Sequence, residues 1–190
     1  SLLSSKKKCH KTIGNKNNQI GLPFSLADLD SSYDCSILEL GTSFPGEIGV
    51  LSAIAKPDIA LITNVFESHL SGLGSLELIA KEKGDIGCFE NDKGVLVLNK
   101  ASRYFDFWGN TTNANKVSSF GTKEGCDFQV LSTDVDFNKN LTSFVLAHQY
   151  KEFKCTMNGV GLHNSVNAAG ALAVCSSMGL ALDEIIDNLE

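Results

Sequence analysis

In SLELIAKEKGDI, residues 75–86, Lys83 falls on a helical stripe that otherwise reads Leu76, Ile79 and Ile86. Seven residues make nearly two turns, so Leu76 and Lys83 lie almost eclipsed on one face. Burial on that face disfavours the ammonium form and lowers its pKa, which leaves a nucleophilic amine. Such an amine can pair with a carboxylate, form a Schiff base, or add carbon dioxide to become a carbamate. The carbamate offers two anionic oxygens, the donors that a hard cation such as Mg²⁺ takes. The competing reading is a lysine whose stem covers apolar surface while its head stays in water. Lys81 falls on the solvent side, at ion-pair spacing from Glu77 and Asp85.

Two more residues are candidate metal ligands. Glu39 is an acid inside the otherwise apolar ILELG, and a buried carboxylate without a partner is costly. A salt bridge that holds the next loop is its alternative role. His69 lies in a Gly- and Ser-rich loop just past the run that ends at Asn64; alone, it reads as a surface histidine. Both fall near strand C-termini, where open parallel sheets bind ligands.

Two stretches are rich in asparagine. TIGNKNNQIGLP (12–23) is a turn sequence well supplied with amides, including Asn15, Asn17 and Asn18. GLHNSVNAAGA (161–171) places His163, Asn164 and Asn167 in the first turns of a helix, where amides cap or bind polar groups. Capping accounts for one asparagine there, not both. The phosphate-loop pattern G-x-x-x-x-G-K-[ST] does not occur, and the chain has no Gly-Lys dipeptide. GTSFPGE (41–47) has the glycine spacing but carries glutamate in place of the lysine.

The elements that must position these residues alternate. DCSILELG (34–41) reads as a buried strand, GEIGVLSAIA (46–55) as a helix and DIALITN (58–64) as a strand. A helix follows from Ser75 to about Phe89, then strands GVLVLN (94–99) and KVSSFG (116–121). This alternation predicts an α/β fold, a mainly parallel sheet flanked by helices. From Cys126 to Cys155, DFQVLST, LTSFVLAH and YKEFKCT follow one another without helices, which predicts a small antiparallel sheet. HNSVNAAGALAVCSSMG and LDEIIDNL read as helices, the first with Gly179 as its C-terminal cap. SLLSSKKK reads as the last turns of a helix.

The composition is that of a soluble globule: 190 residues, 43% hydrophobic, 20% charged, net charge −6. That is enough chain to bury a core as one domain. The acidic balance excludes a nucleic-acid footprint, which needs a basic face. No apolar run approaches the roughly 20 residues that span a bilayer, and no signal-peptide pattern is present, so a cytoplasmic protein with no membrane partner is expected. The six cysteines lack metal-ligand spacing and read as buried free thiols.

TIGNKNNQIGLP, ILELGTSFPGEI, PDIALITNVFESHLSGLGSLELIAKEKGDI and GLHNSVNAAGALA together resemble the Mur ligases of bacterial cell-wall synthesis, from about Thr12 onward. The resemblance implies a partial central ATP-binding domain over residues 1–190, of P-loop type without its phosphate loop. The loop, the first central strand and a UDP-binding domain are expected before Ser1, and a further domain after Glu190. It implies ATP and Mg²⁺ as cofactors, with Glu39, His69 and a carbamylated Lys83 as metal-holding and catalytic groups. Asn167, with His163 and Asn164, matches the nucleotide-binding segment. Asn15, Asn17 and Asn18, with Asn64, match the side that lines the substrate cleft. The implied reaction is amide formation through an acyl phosphate. GEI after ELG and HLSGLGS…KGDI favour the branch that joins D-alanyl-D-alanine to UDP-N-acetylmuramoyl-tripeptide. The rivals are a diaminopimelate-adding ligase, folylpolyglutamate synthase, or a non-catalytic remnant of the fold. Without the phosphate loop, the chain alone is expected to be inactive.

Overall fold

The computed structural model describes residues 2–3, 6–66, 70–91 and 93–189. Its main sheet holds β3 (Ile59–Ile62), β4 (Val95–Asn99), β5 (Lys116–Gly121), β6 (Phe128–Asp136), β7 (Leu141–His148) and β8 (Lys151–Asn158), in that order. Pairing is parallel from β3 to β6 and antiparallel from β6 to β8. A separate parallel pair joins β1 (Cys9–Lys11) to β2 (Cys35–Ile37). The helices are α1 (Gly21–Ala27), α2 (Glu47–Ala55), α3 (Leu70–Leu73), α4 (Leu76–Gly84), α5 (Phe105–Thr111) and α6 (Leu162–Ser177). Among the described residues no helix is long and apolar enough to cross a membrane.

Strand alternation sorts the core into two layers. Val97 of β4 faces α6, in a cluster with Phe120, Phe128, Val130, Leu146, Ala169, Leu172 and Ala173. Its neighbours Leu96 and Leu98 face the other way, toward Ala80, Phe89, Tyr104 and Trp108. Small residues let α6 lie close to the sheet: a Cβ on Gly170 would meet the Phe120 ring at 3.0 Å. The helix closes as predicted at Gly179 (φ +83°), with Gly179 N–H on Ser176 O and Leu180 N–H on Cys175 O.

The mainly parallel α/β architecture matches the expectation, with local differences. The three antiparallel strands do not stand apart. They extend the parallel sheet through two residue pairs, Phe120–Phe128 and Gly121–Gln129. The 34–41 run pairs over three residues only, and with an unforeseen partner, the three-residue CHK strand. LDEIIDNL forms two 3₁₀ turns, Leu182–Glu184 and Ile186–Asn188, because its eight residues bury little beyond Leu182 and Ile185. Leu3 O accepts from Lys6 and Lys7 N–H in a turn rather than a long helix; Ser1, Ser4 and Ser5 lie outside the described residues. Helix α5 (FDFWGNT) has poor intrinsic propensity and forms because Trp108 is buried against α4. Among the cysteines, Cys155 and Cys175 are buried, Cys9, Cys35 and Cys126 half-buried, and Cys88 exposed, all as free thiols.

Candidate functional site

The edges of β2 and β3 face one cavity of about 940 Å³. Asp34 through Leu40 line one side in unbroken succession, and Pro57 through Thr63 the other. A strand that turned a face to the cavity would contribute alternate residues; a continuous run means that the strand edge is presented. Val174 and Cys175 of α6, with Met178 just past its end, close one face, and Leu26 of α1 and Ile48 of α2 join the lining. With about 3.3 Å rise, 4.8 Å strand spacing and 10 Å layer spacing, one strand residue fills roughly 160 Å³. The cavity therefore has room for about six strand residues. The sequence pattern of 34–41 is that of a buried strand, yet Ile37 is 47% exposed, because the flank of β2 meets open space.

Lys83 and Glu39 both line this cavity, near enough for the carboxylate charge to act on the amine. Ser75 starts α4 by accepting the Leu78 N–H at 3.2 Å on its hydroxyl. The helix buries Ile79, Ala80 and Glu82, leaves Lys81 exposed, and turns Lys83 half-buried into the cavity. Burial lowers the Lys83 pKa below the ordinary lysine value; the Glu39 carboxylate opposes that shift but is the smaller influence. Glu39 is exposed just past β2. Its Oε1 accepts from Asn17 Nδ2 at 3.0 Å, and its N–H donates to Thr12 Oγ1 at 3.1 Å. The Asn17 main chain anchors the same loop, accepting Gly41 N–H at 2.8 Å. Glu77 takes Arg103 as its ion partner instead of Lys81, since the turn before α5 brings that guanidinium alongside.

Lys83 is less easily protonated in the fold than in the unfolded chain, so its ammonium opposes folding at neutral pH. That penalty fades as pH climbs from the lowered pKa toward the ordinary one. Lys83→Met is therefore expected to raise the melting temperature at pH 7, with a gain that shrinks at alkaline pH. Thermal melts of the two chains across pH check this.

Other predicted residues sit differently. His69 lies outside the described residues. Asn18 turns inward on its own segment: its Oδ1 accepts from Ile20 N–H at 3.1 Å and Gly21 N–H at 2.8 Å, which starts α1. Asn15 is exposed. Asn64 Oδ1 accepts the Val65 N–H at 2.9 Å, next to Thr63 of the cavity wall. Neither asparagine of α6 is its N-cap; that position is Gly161. His163 lines a second cavity of about 410 Å³ with Thr122, Leu131 and Ser165. Asn164 is half-buried, and Asn167 is exposed one turn further on. The structure thus brings Lys83, Glu39 and Asn17 together and keeps the α6 group apart from them.

Sequence reasoning missed Glu82, which sits between two lysines yet is buried. Its carboxylate accepts Gly46 N–H at 2.7 Å and Ile48 N–H at 2.8 Å. Its available signal was the i, i+3 step from Ile79.

Donor chemistry permits a hard cation here only in part. Among the described residues no cluster of three His, Cys, Asp or Glu could hold a metal. Glu39 is the carboxylate in place, and a carbamate on Lys83 would add two oxygens beside it.

A family model described as the Mur ligase middle domain matches residues 1–175. The UDP-N-acetylmuramoyl-tripeptide–D-alanyl-D-alanine ligase of Buchnera aphidicola subsp. Baizongia pistaciae is 32% identical over 182 residues, 94% of this chain and 39% of that protein. The ligase of the same name from Bacillus subtilis is 34% identical over 190 residues, 99% of this chain and 39% of that one. A crystal structure of MurF from Acinetobacter baumannii superposes with a TM-score of 0.92 at 26% identity, covering 100% of this chain and 41% of that one. MurF from Thermotoga maritima in complex with ADP gives 0.82 at 25% identity, over 97% and 43% of the two chains. The chain spans about two fifths of the length of these relatives.

Proposed function

Because the chain belongs to the Mur ligase family, we propose that it is the central ATPase domain of a D-alanyl-D-alanine-adding ligase. The whole enzyme joins that dipeptide to UDP-N-acetylmuramoyl-tripeptide in the cytoplasm, at the expense of ATP. The observation that carries this reading is that Lys83 and Glu39 both line the cavity between β2 and β3, with the Glu39 charge acting on the Lys83 amine.

Each residue has a task in this scheme. The Lys83 amine, with its ammonium disfavoured by burial, attacks carbon dioxide; an N–C bond forms and a proton leaves to solvent. Asn17 holds the Glu39 carboxylate at a fixed angle, so that two sets of anionic oxygens converge. Mg²⁺ bound by them, with His69 as a further ligand, would neutralise charge on the phosphoryl oxygens of ATP. Asn167, with His163 and Asn164, contacts the nucleotide from α6. Asn15, Asn18 and Asn64 border the peptide substrate. The slot between β2 and β3 takes one further parallel strand, and a phosphate loop that follows it emerges at the C-terminal ends of the sheet, beside Glu39 and Lys83.

A second reading is a non-catalytic remnant of the fold. A chimera separates the two. Residues 1–190 replace the matching segment of the Bacillus subtilis ligase, which keeps its own flanking sequence. ATP-dependent addition of D-alanyl-D-alanine by the chimera supports the ligase reading. A folded chimera without turnover supports the remnant.

A further inference from the structure

Glu82 lies in AKEKG, a stretch that reads as surface charge, yet it is only 5% exposed. A buried carboxylate needs donors, and Glu82 finds them across the fold. Helix α2 starts at Gly46, which has no side chain with which to cap it. Two N–H groups there are met by Glu82, with Gly46 on Oε2 and Ile48 on Oε1. A negative charge at that end also complements the α2 dipole. Thr42 Oγ1 stands 3.3 Å from Glu82 Oε1, in the loop that runs on from Glu39.

A second anchor acts elsewhere on the same helix. Trp108 Nε1 donates to Ala80 O at 2.8 Å, and a Cβ on Gly84 would come within 3.0 Å of the Trp108 ring. Two fixed points leave α4 a single rotation about its axis. Lys83 follows Glu82 by one residue, about 100° round the helix. We infer that Glu82 is a positioning residue, whose capping of α2 sets the rotation of α4 that presents Lys83 to the cavity beside Glu39. The proposed role of Lys83 gives this positioning its purpose, and the inference rests on that reading to that extent.

The test needs neither nucleotide nor turnover. Reductive methylation with ¹³C-formaldehyde places an NMR probe on each lysine amine of the folded chain, and Lys83→Arg assigns the Lys83 signal. Half-buried Lys83 should resonate apart from exposed lysines such as Lys81. In Glu82→Ala, which leaves both α2 donors unmet, the Lys83 signal moves to the exposed-lysine position while Lys81 stays. In Glu82→Gln, whose amide oxygen still accepts one N–H, it moves part of the way. Labelling of the buried Cys155 thiol reports global opening and should not change. An Ala variant that exposes Cys155 leaves the Gln variant to decide. A Lys83 signal that stays put in a folded variant overturns the inference. So does one that moves only as Cys155 becomes reactive in both, since Glu82 would then support the whole fold. Neither outcome bears on whether the chimera turns over, so the two proposals fail separately.

Discussion

Lys83→Ala in the chimeric ligase is expected to lower turnover by about 10³-fold, the scale of a lost transition-state contact, and to leave the melting temperature intact or raised. The cause is chemical: without the amine there is no carbamate, and Glu39 faces the phosphoryl oxygens alone. Stability does not suffer, because a half-buried ammonium was opposing the fold. Lys81→Ala, two residues earlier on the exposed side, is expected to cost at most about 0.5 kcal/mol and to leave turnover unchanged. Steady-state phosphate release by the two variants checks this. The opposite ranking would mean that the rotation of α4 is wrong, and the site with it. A small carboxylic acid added to the Lys83→Ala chimera should restore part of the activity, since it supplies the missing oxygens.

The chain alone, residues 1–190, is expected to release no phosphate above background when D-alanyl-D-alanine and UDP-N-acetylmuramoyl-tripeptide are present. In the proposed site, Glu39 and Lys83 stand on only one side of the phosphates. The backbone amides and lysine that cradle a triphosphate are not in this sequence. The chain spans about two fifths of the length of its relatives, and poor alignment of dipeptide and acceptor forfeits much of the rate. Dipeptide-stimulated phosphate release by the isolated chain would contradict this, and would require a different phosphate site on it.

Lys83 was legible because a seven-residue step on a helix is nearly a whole number of turns, so one charged residue on an apolar stripe stands out. Glu82 was not. Its partners are main-chain N–H groups at Gly46 and Ile48, and no side-chain pattern records where a distant helix begins. The strands β6 to β8 were legible from their alternation, but their union with the parallel sheet depends on which strand lies beside which. Three residues, CHK, carry too little pattern to show β1. The 34–41 run is the instructive case. Its apolar continuity says that it is built to be buried on both sides, and Ile37 remains open on one of them. The asparagines of 12–23 were legible as amides of a turn, but not in their partners, with Asn17 on Glu39 and Asn18 on the start of α1.

The central claim is that the space between β2 and β3 takes one more parallel strand, whose following loop meets Lys83 and Glu39. A crystal structure of the chimera with bound nucleotide tests it most directly. A strand of about six residues is expected in the 940 Å³ cavity, bonded through its main chain to both β2 and β3, with Ile37 buried and Lys83 and Glu39 turned toward the phosphates. A structure in which β2 and β3 pair with each other, or in which the strand before the phosphate loop lies elsewhere, would contradict it.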